Sequence, residues 1–153
     1  MTLQPIRFET AAPFALAGLN QSYSFATMND IPEQWDRMQP YLGTTPNQIG
    51  KRSYGVCHNM HSGGFDYFAG VQVANINALP PALAALSIPG GLYAVFAHTG
   101  PITAIRDSID AAWTWLKTSG RQPAGPAMHM EVYLEDWAHD KDGNLELWTP
   151  VKP

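Results

Sequence analysis

The sequence predicts an α+β fold: a β-α-β-β unit repeated twice about a pseudo-twofold axis, with antiparallel sheets, helices on one side and a ligand groove on the other. Three observations predict it. Strand-like and helix-like apolar patterns follow one another in the same order in two halves, about residues 10–76 and 90–151. A Pro- and Gly-rich joint, residues 79–91, separates the halves. The composition, 45% hydrophobic and 14% charged over 153 residues, is that of one globular domain. At this length folding hides about two-thirds of the unfolded chain's surface, so a core forms without disulfides.

In the first half, residues 14–25 alternate loosely and read as a strand, and Thr27-Met-Asn-Asp30 then leads into a helix with Ile31, Trp35 and Met38 on one face. After a loop at 43–47, residues 51–58 and 65–73 flank a turn at 59–64 and read as a hairpin. In the second half, residues 92–98 read as a strand that Gly100-Pro101 breaks. Ile102, Ile105, Ile109, Ala112 and Leu116 follow at helical spacing, with Gly120 just past a plausible C-cap. Two more strands, 127–134 and 145–149, flank a charged connection at 135–144. A groove between related halves is where a small-molecule site is expected.

Composition also excludes. Cys57 stands alone, which rules out an internal disulfide framework or a multi-thiolate metal cluster within the chain and fits a reducing, cytoplasmic setting. No basic leader precedes an apolar run, and prolines and glycines interrupt the apolar stretch 78–96, so no membrane segment is expected. The net charge is −4 with scattered Lys and Arg, which leaves no basic footprint for nucleic acid. His58, His61, His98, His129 and His139 share no ligand spacing, so no metal is expected. Neither a phosphate loop nor a nucleophile elbow occurs, and no cofactor is expected. Beside His58, Cys57 points to the opposite strand face and reads as inert core.

The residues that carry chemistry lie on the strands. Alternation puts Met128, Met130, Val132 and Leu134 on one face of strand 127–134, suited to a helix-covered core, and His129, Glu131 and Tyr133 on the other. In the last strand Leu145 and Leu147 take the core side, while Glu146 and Trp148 repeat the pairing of carboxylate and aromatic ring. Tyr54 and Tyr67 are candidates to wall the groove from the first half. Trp113 and Trp115 flank the helical stripe; Trp115 is counted with the candidate ligand contacts, and either Trp serves equally as core packing. Aromatic faces attract cations by roughly 0.5 to 2 kcal/mol each, and a partly buried carboxylate supplies the counter-charge, so a lipophilic cation is the favoured ligand class. The same pattern also describes an ordinary solvated acid beside aromatics that cap a core edge.

A resemblance weighs in at this point. Leu92-Tyr-Ala-Val-Phe-Ala-His-Thr-Gly-Pro101, the helix with Trp113 and Trp115-Leu116, Ser119-Gly120, Met130-Glu-Val-Tyr133 and Leu145-Glu-Leu-Trp-Thr-Pro150-Val resemble the GyrI-like effector-binding family. Tyr54-Gly-Val-Cys-His and residues 65–73 are similar to its first hairpin. That family includes ligand-sensing domains of AraC-type and MerR-type multidrug regulators, gyrase-inhibitor-like proteins and drug-binding proteins of integron cassettes. The resemblance implies the same duplicated fold and a pocket role for Glu131 against cationic ligands. Second to that reading, it admits a hydrolase of electrophilic cyclopropane compounds, with Glu131 as base and Tyr133 as proton donor, or a gyrase-inhibitor-like interaction module. No helix-turn-helix precedes the first expected strand, so the expectation is a stand-alone binding protein that does not read DNA itself, with a homodimer or a protein partner left open.

Overall fold

The computed structural model describes residues 2–135 and 144–153; His139 and most of the 135–144 connection lie outside the described residues. The chain order is β1 (Arg7–Ala11), β2 (Phe14–Ser24), α1 (Ile31–Met38), β3 (Ser53–His61), β4 (Gly64–Val73), β5 (Ala84–Ile88), β6 (Gly91–His98), α2 (Ile105–Thr118), β7 (His129–Tyr133) and β8 (Leu145–Val151). The described strands form one eight-stranded sheet in the order β1-β6-β8-β7-β3-β4-β2-β5, antiparallel at every pairing. The fold is α+β, and the order reads the same when the halves are exchanged: β7 answers to β3, β8 to β4, β6 to β2 and β1 to β5.

Two strands escape the sequence patterns. β1 precedes the first expected strand, and β5 lies inside the Pro-rich joint as Ala84-Ala-Leu-Ser-Ile88, a sequence of low strand propensity. Each is extended because a partner offers its edge: β1 pairs with β6, and β5 with β2. Each half thus borrows its edge strand from the other.

That exchange bends the sheet. From Ala11 to Phe14 the chain passes from the first strand position to the seventh, and from Ile88 to Gly91 from the eighth to the second. Six strand spacings in a flat sheet amount to about 29 Å, whereas three residues reach at most about 11 Å. The sheet must therefore curl until its two ends meet. They meet at Gly90, where a Cβ would stand 2.7 Å from Cδ of Pro13. The inner face closes on Leu16, Val56, Phe68, Ile88, Val95, Met130 and Val132, all buried.

Both helices pack on the outer face. Ile31 and Trp35 of α1 cover Tyr23, Phe65 and Tyr67, while Ala112 and Leu116 of α2 cover Ala94, Phe96 and Leu147. One buried polar side chain pins each helix. The Gln34 amide donates to the carbonyls of Leu19 (2.8 Å) and Tyr67 (2.9 Å) and accepts from the Tyr23 hydroxyl (2.7 Å). His98 on β6 hydrogen-bonds Ser108 Oγ (2.7 Å) and the Pro101 carbonyl (2.9 Å), fixing the start of α2.

This arrangement corrects the expected side of the groove. Glu131 faces the helices, and the face turned away from them is closed core. Alternation had sorted β7 into two sets but could not say which set lay inside. The wholly apolar set, Met128, Met130 and Val132, goes where the curl excludes water, and the polar aromatic set goes to the outer face, between the two helices.

Candidate functional site

α1 rests on β2 and β4, and α2 rests on β6 and β8. The two central strands, β3 and β7, are left without a helix above them. A cavity of about 700 Å³ opens there, between Ile31 and Trp35 of α1 and Ile105, Ile109 and Trp113 of α2. Its volume lies within the roughly 300 to 1,000 Å³ typical of ligand pockets. Cys57, Tyr67, His129, Glu131 and Tyr133 rise from the strands, Phe25, Met28 and Met60 add apolar surface, and Arg106 also lines the space, its guanidinium against the Met28 sulfur.

Glu131 is 5% exposed. The Tyr67 and Tyr133 hydroxyls both donate to its Oε1, each at 2.7 Å. The indole N–H of Trp35 donates to the Tyr67 hydroxyl at 3.0 Å, and the Trp35 ring meets Tyr133 edge-on with centroids 5.3 Å apart. Among the described residues no Lys or Arg forms an ion pair with Glu131. Across β3, Glu131 stands opposite Gly55, where a Cβ would come within 2.0 Å of the Tyr67 hydroxyl and 2.6 Å of Glu131 Oε1. Gly55 is the space in which the Tyr67–Glu131 pair sits.

Electrostatics follow from burial. Removal from water raises the Glu131 carboxyl above its ordinary value, and the two tyrosine hydrogen bonds pull it partly back. Burial and the neighbouring carboxylate push both tyrosines well up, so their hydroxyls stay protonated as donors. Burial lowers His129 to about 4, which leaves its imidazole neutral at neutral pH. Cys57 is pushed well up by burial and by Glu131, and its thiol remains protonated.

Of the residues singled out in the sequence, Glu131, Tyr133, Tyr67 and His129 come together at this cavity. Tyr54, Glu146, Trp148 and Trp115 do not. Tyr54 pairs with Val132 and turns inward against Phe14, ring centroids 5.7 Å apart. Glu146 and Trp148 share the inward face of β8, because Leu145 and Leu147 are the residues that register with Tyr133 and Glu131. There Arg7 holds the Glu146 carboxylate through two hydrogen bonds of 2.7 and 2.9 Å, and the Trp148 indole adds a third at 3.1 Å. Burial pushes the Glu146 carboxyl up, but these bonds hold it below its usual value. Trp115 packs on Phe96 and Phe8 at the far side of α2.

Sequence reasoning missed Trp35, Gly55 and the isoleucines of α2 as site residues. The helical stripes read as core, and the signal that separates them is that Trp35, Ile105, Ile109 and Trp113 are only half-buried. They cover an open space as well as the sheet. Among the described residues no group of three His, Cys, Asp or Glu side chains is placed to hold a metal ion, and no helix is long and apolar enough to cross a membrane.

A duplicated strand-and-helix domain with a buried acid beneath an aromatic cavity defines a small-molecule-binding class. The chain belongs to the GyrI-like family: the profile described as GyrI-like small molecule binding domain matches residues 4–152. The transcriptional regulator BrlR of Pseudomonas aeruginosa is 25% identical over 144 residues, which take in 90% of this chain and 52% of BrlR. The chain thus spans about half the length of that relative. Among solved structures, SAV2435 bound to tetraphenylphosphonium superposes with a TM-score of 0.77 at 20% identity, covering 99% of this chain and 94% of that one. The integron cassette protein VCH_CASS2, from the mobile metagenome of Vibrio cholerae, superposes with a TM-score of 0.65 at 18% identity, covering 99% and 98%. At these identities the two likenesses show the fold.

Proposed function

We propose that the chain binds lipophilic cations in the cavity between α1 and α2, with Glu131 as the counter-charge. The observation that carries this reading is a buried carboxylate without a cationic partner among the described residues, set beneath aromatic and aliphatic side chains. Left unpaired, such a charge is costly, and an apolar cation restores its balance while burying its own hydrocarbon surface. Trp35, Tyr67, Tyr133 and Trp113 line the cavity with aromatic rings, whose faces attract a delocalised cation. The bound tetraphenylphosphonium of SAV2435 supports the same ligand class. The likeness to BrlR supports a role as the ligand-sensing unit of transcription control, exerted through a partner or an attached domain.

Titration with tetraphenylphosphonium, followed by tryptophan fluorescence, tests the reading. Saturable quenching or a blue shift is expected, lost in Glu131→Gln, and weakening as pH falls through the raised Glu131 pKa because the protonated acid no longer attracts a cation. Equal binding by the Gln variant would refute it. In the hydrolase reading Glu131 is the base and Tyr133 the acid. Here both tyrosine protons are already committed to Glu131 Oε1, which favours binding over turnover. Turnover of an electrophilic cyclopropane substrate that depends on Glu131 would reverse that preference.

A further inference from the structure

A second buried polar side chain stands two residues along β7 from Glu131. His129 is buried, and neither ring nitrogen has a hydrogen-bond partner; it is the one such case among the described residues. Its ring meets the Trp113 indole edge-on, with centroids 6.1 Å apart and planes at 79°, and it lines the same cavity as Glu131. An apolar side chain of similar shape would fill this position without penalty. A neutral imidazole brings one donor and one acceptor instead, and each costs about 1 to 3 kcal/mol when buried unmet. Unmet buried polar groups in native structures call for an explanation, and in a ligand cavity the simplest partner is the ligand.

Two further facts define that partner. Residues i and i+2 of a strand share a face about 6.5 Å apart, so a molecule whose cation lies at Glu131 reaches His129 with a group roughly one ring-length away. The imidazole is uncharged at neutral pH, so it selects a neutral group over a carboxylate or phosphate.

We propose that His129 is a specificity-determining contact, and that the ligands this cavity favours are lipophilic cations that also carry a neutral hydrogen-bonding group, such as a phenol or a carboxamide, about one aromatic ring from the cationic centre. The inference rests on the cation-binding reading and deepens it: Glu131 selects the charge, and His129 selects the second group. Trp113, half-buried, stands edge-on against the imidazole and shares the cavity wall with it.

Matched probes test it: tetraphenylphosphonium, which has no hydrogen-bonding group, against its 3-hydroxyphenyl, 4-hydroxyphenyl and 4-carbamoylphenyl analogues, each titrated calorimetrically into the wild-type chain and into His129→Phe. At least one functionalised cation is expected to bind the wild type about fivefold to thirtyfold more tightly than tetraphenylphosphonium, the range set by one or two satisfied hydrogen bonds. In His129→Phe the ratio of the two affinities is expected to fall to near one. Should that variant fold poorly, His129→Gln, which keeps a donor and an acceptor, is expected to retain part of the preference. Equal wild-type affinity for every probe, or a preference that survives in His129→Phe, overturns the role of His129 while cation binding itself stands. Absence of binding by every cation overturns both readings together.

Discussion

His129 and Glu131 are both buried ionisable groups, and burial drives their protonation in opposite senses on acidification. His129 is held at about 4 against an ordinary value of 6.5, so between those values the unfolded chain takes up a proton that the folded chain refuses. Stability attributable to His129 is therefore intact above pH 6.5 and declines as pH falls toward 4, by about 3 kcal/mol in all. Glu131 runs the other way: its raised folded value means that acidification favours the native state across the interval just above its ordinary range. Chemical denaturation of the wild type and His129→Phe at pH 7 and pH 4.5 separates the two. The wild type is expected to lose more stability than the variant over that interval, and parallel losses would show that His129 is not the group responsible.

At the scale of elements, β3 and β8 give the clearest tests. Gly55 in β3 leaves the space that the Tyr67–Glu131 pair occupies, so Gly55→Ala is expected to cost about 1 to 3 kcal/mol of stability and to weaken tetraphenylphosphonium binding, read from thermal melts and fluorescence titration. On β8 the Arg7 clamp on Glu146 ties β1 to the sheet from the inner face. Arg7→Met is expected to lower stability by about 1 to 3 kcal/mol and to leave tetraphenylphosphonium affinity as it was, because the clamp lies on the face turned away from the cavity.

These elements also show what the sequence could and could not disclose. Seven segments, β2, α1, β3, β4, β6, α2 and β8, carry their own periodicity and were legible; so was β7, whose alternation grouped His129, Glu131 and Tyr133 correctly. β1 and β5 were not, because they are extended through pairing with partners remote in the chain rather than through their own residues. Nor was the assignment of Glu146, Trp148 and Tyr54 to the inner face. Period two separates two sets of side chains, but only the curl of the sheet decides which set is sealed. Gly55 lies within the Tyr54-Gly-Val sequence, yet the need for an absent side chain appears only when Glu131 is set opposite it.

At the scale of the whole molecule, the closure of the sheet rests on the place where the two short connections pass each other. Gly90 lies against Pro13 and the Ala11 carbonyl so closely that a side chain cannot be added without moving backbone. Gly90→Val is expected to lower the midpoint of thermal unfolding while remaining a single transition seen alike by far-ultraviolet circular dichroism and tryptophan fluorescence. Two separated transitions would mean that the halves melt independently.

The exchanged edge strands make that independence unattainable in another sense. Neither half holds a complete sheet by itself: β1 is synthesised first yet finds its place only after β6 exists, more than 80 residues later. The chain is interlaced rather than bipartite, and a molecule lodged above β3 and β7 sits where the two halves pair directly, at the middle of the sheet and away from the exchanged edge strands. An occupant of that place touches both halves at once, through β3 of one and β7 of the other.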